Sequence, residues 1–204
     1  AYLGSENSIE EIEKTLKVAK VKYEEISDPA GTAAEILAQN KILGWVQGRM
    51  EFGPRALGNR SILTSAQDPN MKNILNDNVK HREPFRPFCP SLVAEAAPKY
   101  FNGKLRDSPF MILSFDVKEE MRNRVPSIVH VDGSARPQFV EKEINPLYYS
   151  LIKKFGDITG DPVILNTSFN DKGQPMIRTA EQAVKMYYGT GMDALIVGNF
   201  MLQK

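Results

Sequence analysis

Apolar residues recur at helical spacing near the start of the chain, at Ile9, Ile12, Leu16 and Ala19. Ser8 and Glu11 form the capping-box signature at the beginning of this run, so the pattern predicts a helix here. Thr32 and Glu35 repeat the signature and predict a second helix that runs to about Gln39. Further helix starts are predicted at Asp68-Pro69, Asn145-Pro146 and Thr179, the Asn145-Pro146 helix ending near Gly156.

Short apolar runs bounded by glycine, proline or polar clusters predict strands. They cover residues 42–47, 61–65, 110–117, 127–131, 138–141, 162–165 and 194–197. Helices and strands are mixed along the whole chain, which indicates an α/β (α+β) fold. Because no repeat, low-complexity tract or linker interrupts the pattern, we expect residues 1–204 to form a single domain. The opening at Ala1 without an initiator methionine leads us to expect a fragment of a longer protein.

Composition excludes several classes of protein. The chain is 42% hydrophobic and 25% charged, which is ordinary for a globular protein, and its apolar runs are too short to span a membrane. A single cysteine, Cys89, excludes an internal disulfide framework, so we expect a reducing, cytoplasmic location. With two histidines and one cysteine, the chain offers no convincing metal site of its own, and we assign no metal ligands.

Positive charge is concentrated in one segment. Residues 49–86 contain seven Arg and Lys side chains against four Asp and Glu side chains. This segment is also rich in glycine, proline and phenylalanine, unlike a solvated helix that is coated with lysine. A phosphate group or a nucleic acid is therefore a reasonable partner.

The first candidate site is the glycine- and proline-rich loop over residues 51–61. Gly53 and Gly58 permit tight turns at which peptide N–H groups can approach an anion. Arg55 and Arg60 add planar guanidinium groups that suit phosphate or carboxylate. The same loop is also compatible with a surface turn whose arginines make ordinary ion pairs.

The second candidate is residues 80–91, where three prolines stiffen the chain and so place its charged side chains. We expect Lys80, Arg82 and Arg86 to face a pocket, with Phe85 and Phe88 buried beneath them. The alternative is a rigid connecting loop whose charges lie in water.

Two later segments complete the candidate chemistry. In residues 130–138, Arg136 suits phosphate, although Asp132-Gly133 is equally typical of a plain hairpin turn. The polar side chains Asn166, Ser168 and Asn170 suit a carbamoyl amide, a ribose or a phosphate, or they cap the turn that follows. No Ser/His/Asp arrangement, Walker A loop or dinucleotide fingerprint is present, so transfer chemistry here must rest on positioning and charge neutralisation.

Together and in this order, the four segments resemble the C-terminal, YrdC-like domain of the NodU/CmcH carbamoyltransferases, from about Ala30 to the C-terminus. The resemblance implies a twisted, open mixed sheet with flanking helices. It also implies that the domain forms carbamoyl adenylate from carbamoyl phosphate and magnesium-bound ATP, as the activating domain of an O-carbamoyltransferase. Transfer to an acceptor hydroxyl is implied to belong to an N-terminal domain of actin/hexokinase type that carries an iron-type metal and that this sequence lacks.

The resemblance also implies roles for individual residues. Lys80, Arg86 and Arg136 are the implied catalytic residues, because they neutralise phosphate charge. The implied substrate- and nucleotide-binding residues are Arg55, Arg60, Asn166, Ser168 and Asn170. The alternative is an RNA- or nucleotide-binding module without catalysis. Nucleic acid is the less favoured partner, because the bases are few and the aromatic residues lie between prolines rather than in a stacking platform.

Overall fold

A computed structural model describes residues 1–103 and 107–204 of the protein. Seven α-helices lie within these residues: α1 (Ile9–Val18), α2 (Pro29–Ala38), α3 (Met71–Leu75), α4 (Ala97–Tyr100), α5 (Glu119–Arg122), α6 (Pro146–Thr159) and α7 (Ala180–Gly189). The strands are β1 (Glu24–Glu25), β2 (Leu43–Val46), β3 (Arg60–Ser65), β4 (Cys89–Val93), β5 (Phe115–Asp116), β6 (Ser134–Ala135), β7 (Gln138–Val140), β8 (Val163–Ser168), β9 (Ala194–Val197) and β10 (Phe200–Gln203). Each described helix is too short or too polar to cross a membrane.

Eight strands form one mixed sheet in the order β1-β10-β9-β2-β3-β8-β4-β7, and β5 pairs with β6 separately. Strand β2 runs parallel to β9, and β4 runs parallel to β7, whereas the other neighbours are antiparallel. Helices pack on both faces of the sheet, which confirms the expected mixed α/β architecture.

Alternation along the strands distributes their side chains between two cores. On one face, Trp45 and Ile164 pack with α2 and α6. On the other face, Val46 and Leu165 pack with α1 and α7. Because both faces are covered, the central strands are buried along most of their length.

Side chains that cap helices were largely predictable. Ser8 and Thr179 each form a complete capping box, and Asn145 caps α6, as the sequence indicated. Helix α2 begins earlier than predicted, because the Asp28 side chain accepts from the N–H of Gly31 and caps a helix that starts at Pro29. Helix α6 continues past its predicted end to Gly160, whose left-handed conformation terminates it.

The strand predictions at 110–117 and 127–131 were largely wrong. Only Phe115–Asp116 of the first forms a strand, and the second contains a 3₁₀-helix, Pro126–Ile128, followed by a turn. Conversely, β4 was not predicted, because Pro90 lacks the N–H that a residue in a sheet donates to its neighbouring strand. Pro90 is only the second residue of that strand, where it removes a single donor.

Candidate functional site

All eight residues that we assigned to the site lie at one end of the large sheet. The start of β3 lies beside the end of β8, and the start of β4 lies on the other side of β8, with Cys89 opposite Asn166. Strand β7 is parallel to β4, so it also starts at this end. The segments that lead into β3, β4 and β7 carry Arg55, Arg60, Lys80, Arg86 and Arg136, and the end of β8 carries Asn166, Ser168 and Asn170.

A buried carboxylate closes the loop that leads into β3. Glu51 is 3% exposed, and its Oε1 accepts from the backbone N–H groups of Leu57 at 2.6 Å, Asn59 at 2.9 Å and Arg60 at 3.2 Å. A single carboxylate oxygen thus accepts hydrogen bonds from three peptide N–H groups in the second half of the loop. Glu51 was not among the residues predicted for the site, although an acid inside a basic, glycine-rich loop is a usable signal.

The base of this loop is packed, whereas its tip is open. Gly58 has a φ of +103°, and a Cβ added there would lie 2.2 Å from Cδ1 of Tyr148. Trp45 Nε1 donates to the carbonyl of Gly58 at 2.9 Å. In contrast, Phe52–Pro54 are exposed and Arg55 is partly buried. The loop therefore presents Arg55 from a fixed base.

Arg60 is fully buried and bonds to the backbone. Its Nη1 donates to the carbonyls of Gln47 at 2.7 Å, Asn59 at 3.0 Å and Gly48 at 3.2 Å. Burial lowers the pKa of Arg60, and the nearby carboxylate of Glu51 opposes that shift. In this conformation the guanidinium holds the two ends of the loop together instead of facing the open side of the site.

Lys80 connects the segment before β4 to the end of β8. It is 5% exposed, and its Nζ donates to the carbonyl of Ser168 at 2.9 Å and to both the carbonyl and Oδ1 of Asn170 at 2.8 Å. Burial, followed by the positive charges of Arg82 and Arg86, lowers the pKa of Lys80 to about 7. The three oxygen acceptors oppose this by favouring the ammonium form.

The backbone around Lys80 has an unusual conformation. Lys80 ends a π-helix, Asn76–Lys80, and His81 follows in the left-handed region with a φ of +46°. Asn76 Nδ2 donates to the carbonyl of Arg82 at 2.7 Å, and Oδ1 accepts from the N–H of Arg82 at 3.3 Å. Asn76 therefore fixes the turn after Lys80, a role that helical periodicity does not reveal.

The remaining cations before β4 differ in exposure. Arg82 lies over the ring of Phe88, 4.2 Å from its centroid, and is partly buried. The side chain of Arg86 is 54% exposed, with Nη1 only 3.5 Å from Glu83 Oε2. Phe88 is buried as expected, but Phe85 is 78% exposed. The expectation for Phe85 was wrong because it lies in a turn, where the N–H of Arg86 donates to the carbonyl of Glu83 at 3.1 Å.

A compact hydrogen-bonded turn precedes Arg136. Ser134 Oγ donates to Asp132 Oδ1 at 2.7 Å, and His130 Nδ1 lies 3.2 Å from the same Oγ. Because the carboxylate can only accept, the serine oxygen is left to accept from the imidazole. Beyond this turn, Arg136 Nη2 lies 3.3 Å from the sulfur of Cys89, at the start of β4.

Asn166 lies in a buried polar network beneath the first loop. Its Nδ2 donates to the carbonyl of Ala56 at 3.1 Å and to Ser91 Oγ at 3.0 Å. Ser91 in turn donates to Gln138 at 2.9 Å. Within the part of the chain that the structure describes, Asn166 Oδ1 is buried without a hydrogen-bond partner. No cluster of three His, Cys, Asp or Glu side chains suitable for a metal occurs among the described residues.

Comparison with known proteins identifies relatives over the whole chain. Residues 34–204 match the family model "Carbamoyltransferase C-terminus". Nodulation protein NolNO of Sinorhizobium fredii is 42% identical over 206 residues, which cover 99% of this chain and 30% of that protein. An uncharacterised protein of Methanocaldococcus jannaschii is 42% identical over 208 residues, covering 100% of this chain and 34% of that protein. The chain thus spans about a third of the length of these relatives.

Solved structures with low sequence identity share the fold. Full-length HypF in a phosphate- and nucleotide-bound form aligns with a TM-score of 0.60 at 16% identity, covering 86% of this chain and 22% of HypF. Sua5 of P. abyssi in complex with L-threonine aligns with a TM-score of 0.59 at 14% identity, covering 83% of this chain and 46% of Sua5. These similarities establish a YrdC-like fold.

Proposed function

Because the chain belongs to the carbamoyltransferase C-terminus family, we propose that it is a carbamoyl-activating domain that forms carbamoyl adenylate from carbamoyl phosphate and ATP. Atom balance requires one water, and the products are carbamoyl adenylate, pyrophosphate and phosphate. Both substrates are anions, so the site must offset their repulsion while it holds them together. Magnesium arrives with ATP in this proposal, coordinated by phosphate oxygens.

The observation that carries the proposal is the collection of cations at one end of the sheet. Arg86 is exposed, and Arg55 and Arg136 are partly buried, with Arg136 just before β7. Lys80 contributes a buried positive charge at the same end, and its ammonium group donates to the carbonyls of Ser168 and Asn170. In the proposal, these cations bind the phosphates of the two substrates.

Neutral groups at the same end of the sheet suit the carbamoyl group. Asn166 is buried, and its Nδ2 donates to the carbonyl of Ala56 and to Ser91 Oγ, so in the proposal it fixes the first loop beside the carbamoyl group. Ser168 and Asn170, which are partly buried, lie at the end of the same strand. We assign these three residues to orienting the carbamoyl or adenylate group.

Transfer to an acceptor hydroxyl is proposed for a separate N-terminal domain of a longer protein. The relatives, which are about three times as long as this chain, support that division. The iron-type metal attributed to that domain has no suitable ligand cluster among the described residues here, so we assign it no step.

The alternative of an RNA-binding module is less well supported. Two of the basic side chains in residues 49–86, Arg60 and Lys80, are buried, and both donate to backbone carbonyls. Fewer cations are thus available to follow a nucleic-acid backbone.

Pyrophosphate release from ATP tests the proposal. We expect release that depends on carbamoyl phosphate, and no carbamoylated product when alcohol acceptors are added. Calorimetric titration with magnesium-ATP, carbamoyl phosphate and duplex RNA provides a parallel readout. Tight, saturable RNA binding without ATP binding would instead establish the binding module, and a carbamoylated alcohol made by this chain alone would contradict the two-domain division.

A further inference from the structure

We propose that Glu51 is a positioning residue, which closes the loop over residues 51–61 and thereby holds Arg55 at the anion-binding end of the sheet. The identity of the anion rests on the proposed function, whereas the closure of the loop does not. Glu51 itself is buried and bonds only to peptide groups of its own loop, so it is not expected to touch substrate.

The loop is held from two sides, and Glu51 provides one of them. Its Oε1 accepts from the N–H groups of Leu57, Asn59 and Arg60. The carbonyls of the same stretch accept from the body of the protein: Ala56 from Asn166, Leu57 from Tyr2 and Gln138, and Gly58 from Trp45. Between them, these bonds hold the backbone from residue 56 onward.

Arg55 lies immediately before this anchored stretch. The tip that precedes it, Phe52–Pro54, is exposed, and a Cβ added at Gly53 would meet nothing within 4 Å. The N–H of Phe52 donates to the carbonyl of Ala1 at 2.7 Å, so the tip is held at its start, and Arg55 itself is supported by the anchored side that follows it. Loss of the Glu51 carboxylate releases three N–H groups at once, and Arg55 loses its fixed support.

Glu51 also affects the stability of the fold. The experiment therefore has to distinguish a loss of stability from a loss of Arg55 positioning. Its negative charge opposes the burial-induced fall in the pKa of Arg60, so the two buried charges compensate one another. Removing Glu51 leaves the Arg60 guanidinium less well compensated. Asp161 is a suitable control, because it is a buried carboxylate at the opposite end of β8, bonded to Tyr100 and Arg124.

The experiment measures the affinity for inorganic pyrophosphate in Glu51→Ala, Glu51→Gln and Asp161→Asn, together with thermal unfolding. We expect Glu51→Ala to weaken binding about tenfold, equivalent to about 1.4 kcal/mol. Glu51→Gln keeps an acceptor oxygen and should restore part of the affinity. Asp161→Asn should lower the unfolding temperature but leave the affinity unchanged. Equal weakening by Asp161→Asn, or wild-type affinity in folded Glu51→Ala, overturns the proposal.

Two further measurements make the result specific. On an Arg55→Ala background, Glu51→Ala should cause no additional loss of affinity, because Arg55 is the group that it positions. Additive losses contradict that link. Hydrogen exchange at the amides of Leu57, Asn59 and Arg60 should accelerate in Glu51→Ala, whatever the ligand. If wild type binds no pyrophosphate, the proposed function fails, whereas unchanged exchange rates show that Glu51 does not close the loop.

Discussion

Lys80 donates two hydrogen bonds to Asn170, one to its carbonyl and one to its Oδ1, each 2.8 Å long. A third bond from the same ammonium reaches the carbonyl of Ser168. The end of β8 and the π-helix before β4 are therefore joined through one charged group. This arrangement gives Lys80 a part in folding as well as in the charge of the site.

Replacement of Lys80 by methionine is expected to impair both properties. The carbonyls of Ser168 and Asn170 and the Oδ1 of Asn170 each lose the bond from Lys80, which should cost about 1–3 kcal/mol of unfolding free energy. Loss of the charge should also weaken ATP binding. Urea unfolding and calorimetric titration of the same preparation check this, and a variant of wild-type stability would contradict the role of Lys80 in joining the two segments.

Replacement of Arg86 by alanine should separate binding from folding. Its side chain is 54% exposed, and its pairing with Glu83 at 3.5 Å is a surface ion pair that adds little stability. We therefore expect ATP affinity to fall by about 1.5–3 kcal/mol with an unchanged unfolding temperature. Lys153→Ala, which removes an exposed charge from α6, is the matched control and should bind normally. An Arg86→Ala protein that melts early but binds normally when folded would refute the assignment.

Stability should rise with pH in a manner that depends on Lys80. Its pKa is lowered from 10.5 to about 7, so between these values the unfolded chain holds a proton that the folded chain has released. Unfolding free energy then increases with pH, by up to about 1.4 kcal/mol per pH unit from this one group. Urea unfolding at pH 7, 8 and 9 should show a steeper rise in wild type than in Lys80→Met. Parallel profiles would contradict the lowered pKa.

Gly58 and Gly53 should differ in their tolerance of alanine. Both have positive φ values, but a Cβ at Gly58 meets the ring of Tyr148 at 2.2 Å, whereas a Cβ at Gly53 meets nothing within 4 Å. Gly53→Ala should cost about 1–3 kcal/mol of backbone strain, and Gly58→Ala should cost more because the steric clash adds to it. Thermal unfolding of the two variants provides the comparison, and equal losses would show that Tyr148 moves aside.

The sequence indicated that the candidate residues lie beside strands, because the polar and cationic segments adjoin predicted strands, and the structure places them at strand ends. The prediction of a strand running into Asn166 was correct in kind, and the strand predicted over residues 61–65 is observed one residue longer, beginning at Arg60. The sequence did not predict which strand lies beside residues 80–91, because Pro90 made a strand at Cys89–Val93 look unfavourable. Without β4, nothing in the sequence paired that segment with β8.

The burial of individual cations was also beyond the sequence. Arg55 and Arg60 are similar in local composition, yet one is partly buried and the other is enclosed by the carbonyls of Gln47, Gly48 and Asn59. Which arginine turns inward depends on carbonyls that residues distant in the chain bring together. The same holds for Lys80, whose acceptors lie 88 and 90 residues away.

The position of β8 between β3 and β4 also has a consequence for folding order. The segments that carry Arg55 and Lys80 are synthesised before β8, the strand that lies between β3 and β4 and begins at Val163. Pairing at such sequence distance is slow, because a long stretch of chain must close before the contacts form. On the ribosome, the two segments consequently lack the strand that joins them until Val163–Ser168 has emerged.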